Sequence, residues 1–124
     1  MLYFANNFFN INMDINKKCV PCQGGIPPLD NHQINLLLTK LSSQWKVYKD
    51  KELIKSFKFQ EYLKAIKFVN LVVSLSEEQG HHPYIHINYK EIKIILFTHK
   101  IDGLHENDFL MAIKIDEIFK NQSQ

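Results

Sequence analysis

The sequence is short of the features that most often announce a function. Cysteine is scarce, with Cys19 and Cys22 alone in 124 residues. Without an export signal, so few thiols point to the reducing cytosol rather than to a disulfide-stapled secreted domain. No apolar run is long enough to span a bilayer. Neither sign of charge dominates: the net charge is +2 with histidine neutral, and the lysines are scattered among acidic residues. That balance gives no electrostatic footing for nucleic acid. Phosphate-cradling and nicotinamide-binding motifs are missing, as are internal repeats and low-complexity blocks.

The 45% hydrophobic content is that of a folded protein, and the length suits one domain. Met1 to Lys18 is rich in asparagine and phenylalanine and lacks a positive start followed by an unbroken apolar stretch. It does not read as a signal peptide. The expectation is a poorly ordered leader over residues 1–18, or residues upstream of the natural start, ahead of a single domain over 19–124.

From Cys19 to Leu29, two glycines and three prolines predict an irregular lead-in. Asp30 and Gln33 then have capping-box spacing, and Ile34, Leu37, Leu38 and Leu41 make one apolar stripe. Together they predict a helix over Asn31 to Ser42. Trp45 to Tyr48 and Leu53 to Phe59 read as two strands joined across Asp50-Lys51. Gln60 to Glu78 predicts a long helix with Tyr62, Ile66, Val69 and Val73 in one row and Ala65, Phe68, Val72 and Leu75 in another.

Gly80 and Pro83 interrupt any continuation of that helix. The alternation of Ile85, Ile87 and Tyr89, then Ile92, Ile94 and Leu96, predicts a hairpin turning near Lys90. A last helix over Glu106 to Lys120 is apolar around too much of its circumference for one sheet contact, so part of it is expected to pack on another subunit. The order of elements predicts an α+β two-layer sandwich, a four-stranded antiparallel sheet with helices on one face.

The residues able to do chemistry are histidines. His81 and His82 sit in a break just after a helix, and hairpin pairing returns His99 to their neighbourhood. Glu77 lies one helical turn before His81, and Asp108 opens the last helix. Imidazole ordinarily titrates at about pH 6.5, so it can donate or accept a proton near neutrality. Other readings compete. Asp108 stands where a helix-capping carboxylate would, whereas Glu77, in the last turn of its helix, is unfavourably placed for the dipole. His32 and His86 fit ordinary surface residues. Adjacent histidines tend to point in different directions and no third ligand stands at clear spacing, so the pattern favours proton transfer over a metal site. Cys19 and Cys22 form one CxxC with no second pair and no βαβ setting, which favours a structural or incidental pair.

The run Glu77-Glu-Gln-Gly-His81-His82-Pro83-Tyr84-Ile85, followed by Tyr89, His99 and Asp108, closely resembles the signature of the pterin-4a-carbinolamine dehydratase family, also called the dimerisation cofactor family. Phe57-Lys58-Phe59, Thr98 before His99, Asp102-Gly103-Leu104 and the Cys-x-Pro-Cys-x-Gly-Gly-x-Pro-Pro-Leu lead-in extend the likeness from Cys19 to Phe119. The resemblance implies a cytoplasmic hydro-lyase that dehydrates 4a-hydroxytetrahydropterin to quinonoid dihydropterin, without metal or other cofactor. It implies a role in tetrahydropterin recycling for aromatic amino-acid hydroxylation. His81, His82 and His99 would be catalytic, with His99 as acid, His82 as principal base and His81 sharing or positioning. Glu77, Pro83, Thr98 and Asp108 would orient the imidazoles or the substrate. The expected partners are the pterin substrate and further copies of the chain, as a homodimer or homotetramer, with no nucleic acid and no membrane. The alternative is a non-catalytic protein-binding or transcriptional dimerisation cofactor, since animal members also stabilise dimers of a homeodomain transcription factor. Two departures stand out. Tyr84 and Ile85 occupy positions where many members carry an acidic residue and a tryptophan, and His105 replaces the usual serine or threonine cap, which predicts a weaker helix start.

Overall fold

Asp30 opens the first helix as its spacing requires. Its carboxylate accepts the Gln33 N–H at 2.8 Å, and the Gln33 side chain accepts the Asp30 N–H at 3.0 Å. This computed structural model describes residues 16–20, 24–42 and 44–122. The predicted leader falls largely outside them, and so does Cys22 of the CxxC pair. Helix α1, Asn31–Leu38, stops short of Ser42. The N–H groups of Thr39, Lys40 and Leu41 bond to carbonyls three residues back, so the chain tightens into a 3₁₀-like turn there.

Strands β1, Lys46–Tyr48, and β2, Glu52–Lys58, follow. Lys49 and Asp50 make the left-handed turn between them. Helix α2 runs Tyr62–Gln79. Its row Ala65, Phe68 and Val72 is buried, while Tyr62 and Val73 of the other row are exposed. Gly80, at φ 66°, ends the helix in the left-handed region that glycine enters freely. Strands β3, Tyr84–Asn88, and β4, Glu91–Leu96, make the predicted hairpin. The sheet order is β1-β2-β4-β3, antiparallel throughout.

Register fixes which face is buried. Leu53 lies opposite Leu96, Lys55 opposite Ile94 and Phe57 opposite Ile92, and all six are buried. A cluster of Phe57, Phe59, Phe68 and Phe119 joins the sheet to the helices, with ring centroids 4.8–5.9 Å apart. Truncating a buried phenylalanine of this kind typically costs about 3–5 kcal/mol. Lys55 enters the same layer because Asp116 meets its ammonium at 2.6 Å and Trp45 Nε1 at 2.9 Å, so the buried cation is paired.

Helix α3 runs Glu106–Gln122. Much of its wide apolar surface is absorbed within the chain, while Ile113, Ile118 and Phe119 are only partly buried. Phe109, Leu110, Met111, Ala112 and Ile115 are all buried, packed against α2, β2 and β4. The exposed large apolar residues on a helix lie on α2 instead: Tyr62, Leu63, Leu71 and Val73. Between β4 and α3, Thr98 and Gly103 form a β-bridge around one 3₁₀ turn, His99–Ile101. Gly103 is required there, since a Cβ would fall 2.6 Å from Pro28 Cβ of the lead-in.

Candidate active site

His81 and His82 stand in an extended segment, where successive side chains diverge. His81 turns inward, its side chain 11% exposed, and His82 outward, 62% exposed. His99 opens the 3₁₀ turn beyond β4. All three line one cleft of about 330 Å³, together with Thr98, Val20 and Asn107. Its size is within the usual range for small-molecule sites.

Each imidazole is held through Nε2. The His81 nitrogen lies 2.7 Å from Asp108 Oδ1, the His82 nitrogen 2.6 Å from Glu77 Oε2, and the His99 nitrogen 3.2 Å from the Tyr84 hydroxyl. An ionised carboxylate only accepts, so Asp108 and Glu77 select the Nε2–H tautomer of their partners and leave Nδ1 as the basic nitrogen. The His99 ring is further fixed by the edge of Phe97, with centroids 4.6 Å apart.

Asp108 is wholly buried. Besides His81 it accepts the Thr98 hydroxyl at 2.7 Å and the His105 N–H at 2.9 Å, both on Oδ2. It is thus a helix-capping residue and a histidine partner at once. At the start of α3 the imidazole stands in for the usual hydroxyl: Asn107 N–H donates to His105 Nδ1 at 3.0 Å while Asp108 receives the His105 N–H. That bond needs an unprotonated Nδ1. Burial holds the His105 imidazole below its ordinary value, with the His81 ring adding a little, against the opposing pull of Asp108 and Glu106.

Of the other expected residues, Thr98 is buried against Asp108, Glu77 is exposed beside His82, and Pro83 is half-buried at the mouth of β3, outside the cleft lining. His32 and His86 are exposed. Gln79 and Asn107 carry no signal in the sequence beyond being polar. They tie the lead-in to the site: Cys19 N–H donates to Gln79 Oε1, Val20 N–H donates to Asn107 Oδ1, and Asn107 Nδ2 donates to the Val20 carbonyl. Burial pushes the Cys19 thiol up to about 11, against the nearby Lys114 charge, so it remains a thiol at neutral pH.

Among the described residues no group of three or more His, Cys, Asp or Glu side chains is arranged to hold a metal ion. No helix among them is long and apolar enough to cross a membrane. A larger groove, about 810 Å³, runs along the β1–β2 edge. Its buried cation, Lys55, is already paired with Asp116, so that groove offers less for proton transfer than the histidine cleft.

Comparison with known proteins agrees with this fold. The chain is 44% identical over 108 residues to a protein of Alkaliphilus metalliredigens named as a candidate pterin-4-alpha-carbinolamine dehydratase, covering 87% of this chain and 95% of that one. A protein of Rubrobacter xylanophilus with the same name is 45% identical over 102 residues, 82% and 94% of the two chains. The crystal structure of a transcriptional coactivator/pterin dehydratase from Brucella melitensis superposes with a TM-score of 0.69 at 29% identity, over 73% of this chain and 97% of that one. A pterin dehydratase-like protein described as a RuBisCO assembly factor of the alpha-carboxysome gives 0.54 at 26% identity, over 62% and 90%. The profile of the family described as Pterin 4 alpha carbinolamine dehydratase matches residues 27–118, a span that holds the sheet, α1, α2, most of α3 and the three cleft histidines, and the chain belongs to that family.

Proposed function

We propose that the chain dehydrates 4a-hydroxytetrahydropterin to quinonoid dihydropterin by general acid–base catalysis. The observation that carries this reading is the gathering of three imidazoles around one cleft, two with carboxylate partners and one without. His99, as imidazolium, gives its Nδ1 proton to the departing hydroxyl; the carbon–oxygen bond breaks and water leaves. His82 takes the proton released at the ring nitrogen as the new carbon–nitrogen double bond forms. Solvent then carries the proton from His82 back to His99, so nothing is consumed. His81, held by Asp108, positions the substrate or shares the base role. Glu77 and Asp108 stabilise the imidazolium each partner becomes, as carboxylates do for other catalytic histidines. Thr98 orients Asp108, and Pro83 directs the chain out of the histidine pair. Acid–base catalysis of this kind is worth roughly a hundred- to ten-thousand-fold, a scale that suits a reaction also proceeding unaided. No further cofactor is needed.

We place this activity in the cytosol, in tetrahydropterin recycling for aromatic amino-acid hydroxylation, with the chain as a homodimer or homotetramer and without nucleic acid. The exposed apolar residues of α2 supply a surface for such assembly. The same surface favours the second reading, a protein-binding or transcriptional dimerisation cofactor, in line with the names of the two solved relatives. The test is the rate of carbinolamine loss with purified chain and freshly made substrate. The wild type should exceed the spontaneous rate, and His99→Ala should lower dehydration at least about tenfold with its circular dichroism unchanged. A folded His99→Ala protein at full rate defeats the assignment; a wild type no faster than buffer, yet oligomeric, favours the binding role.

A further inference from the structure

We propose that Tyr84 is a positioning residue that makes His99 the acid of the site. The proposal rests on the dehydratase reading and concerns a residue at which this chain departs from the family pattern. Tyr84 reaches back from β3 so that its hydroxyl lies 3.2 Å from His99 Nε2, with the two rings edge to face at 5.6 Å between centroids. Phe97 closes on the imidazole from its own strand end. One nitrogen of His99 is thereby anchored, and Nδ1 remains as the nitrogen available for proton exchange.

The nature of the anchor matters as much as its presence. A phenol can donate to a neutral imidazole or accept from an imidazolium, so the contact survives both protonation states. It carries no charge in either case. A carboxylate at the same place would stabilise the imidazolium and weaken it as an acid. His81 and His82 have carboxylate partners in Asp108 and Glu77. His99 has a neutral one in the Tyr84 hydroxyl. Among the described residues, the titratable groups of the cleft and turn around His99 are Tyr84 from β3, Lys100 and Asp102 on its own turn, and His81 and His82 across the cleft. Asp108 and Glu77 are engaged with other rings, and Asp102 with Lys51.

The experiment compares the full-length wild type with Tyr84→Phe and Tyr84→Glu. Titration of the His99 ring is followed by nuclear magnetic resonance, and steady-state dehydration supplies kcat and KM. Tyr84 is half exposed, so both variants should fold. Tyr84→Glu should move the His99 titration up by about one pH unit or more and lower kcat about tenfold with KM within about twofold. Tyr84→Phe should lower kcat about fivefold, the factor expected for one ordinary hydrogen bond, and leave the titration nearly in place. An unchanged kcat in Tyr84→Phe, or an unchanged His99 titration in Tyr84→Glu, overturns the proposal. If the wild type does not dehydrate carbinolamine at all, the function falls, and the titration by itself decides whether Tyr84 anchors His99.

Discussion

His81 and His82 are neighbours in the chain, and each gives Nε2 to a carboxylate at nearly the same distance, 2.7 and 2.6 Å. The two pairs are nonetheless different objects. Asp108 has no exposed surface and is surrounded by three donors; Glu77 and His82 are 74% and 62% exposed. Water and salt screen the outer pair, so its short contact carries little energy. The inner carboxylate has given up its hydration and depends on its donors for compensation. Length alone therefore does not rank the two bonds. Burial does.

Three measurements break or sharpen that contrast. The largest effect belongs to Asp108→Asn, which places amide hydrogens against groups that themselves donate. Urea denaturation should record a loss of about 3 kcal/mol, and kcat should fall about a hundredfold. If this variant were no worse than Glu77→Gln, burial would not be what separates the pairs. An intermediate effect concerns pH. Because His105 is held below its ordinary pKa of 6.5, the folded state resists a proton that the unfolded chain accepts. The stability it contributes is present above pH 6.5 and is lost as pH falls from there through the lower folded value. His105→Ser keeps a capping oxygen without a titrating ring. Its melting temperature should fall less between pH 7 and pH 5 than that of the wild type, and an equal fall would dissociate His105 from the acid sensitivity of the inner pair. The smallest effect is Glu77→Gln. Its urea midpoint should match the wild type, and kcat should drop by less than about threefold, a difference that 0.5 M salt removes. A larger loss at high salt would mean that the outer pair acts through geometry rather than charge.

Periodicity made most of the fold readable. The stripe of α2, the alternation of β3 and β4 and the Asp30–Gln33 box each follow from local chemistry, and each element lies within a few residues of its predicted bounds. What failed to be readable was decided by contacts distant in sequence. The α1 stripe continues to Leu41, so nothing local announces the tightened turn after Leu38. How much of the apolar girth of α3 would be covered within the chain was not readable, because a sequence does not say how many neighbours a helix will have. The site was readable in its three histidines and two carboxylates. Glu77 could not be assigned to His82 rather than His81 from spacing, since both lie about one turn away and the choice depends on how the chain leaves Gly80. Asn107 and Gln79 were silent because a hydrogen bond to a passing backbone leaves no pattern of residue types.

That passing backbone also sets when the cleft can exist. Val20 and Asn107 are 87 positions apart, and the lead-in cannot seat on Asn107 until synthesis has passed that residue. The β1–β2 hairpin and α2 are made of nearby residues and can form beforehand, whereas the cleft wall must wait for one of the longest loop closures in the chain. A ribosome-bound intermediate can therefore own much of the sheet and still have no place for a ligand.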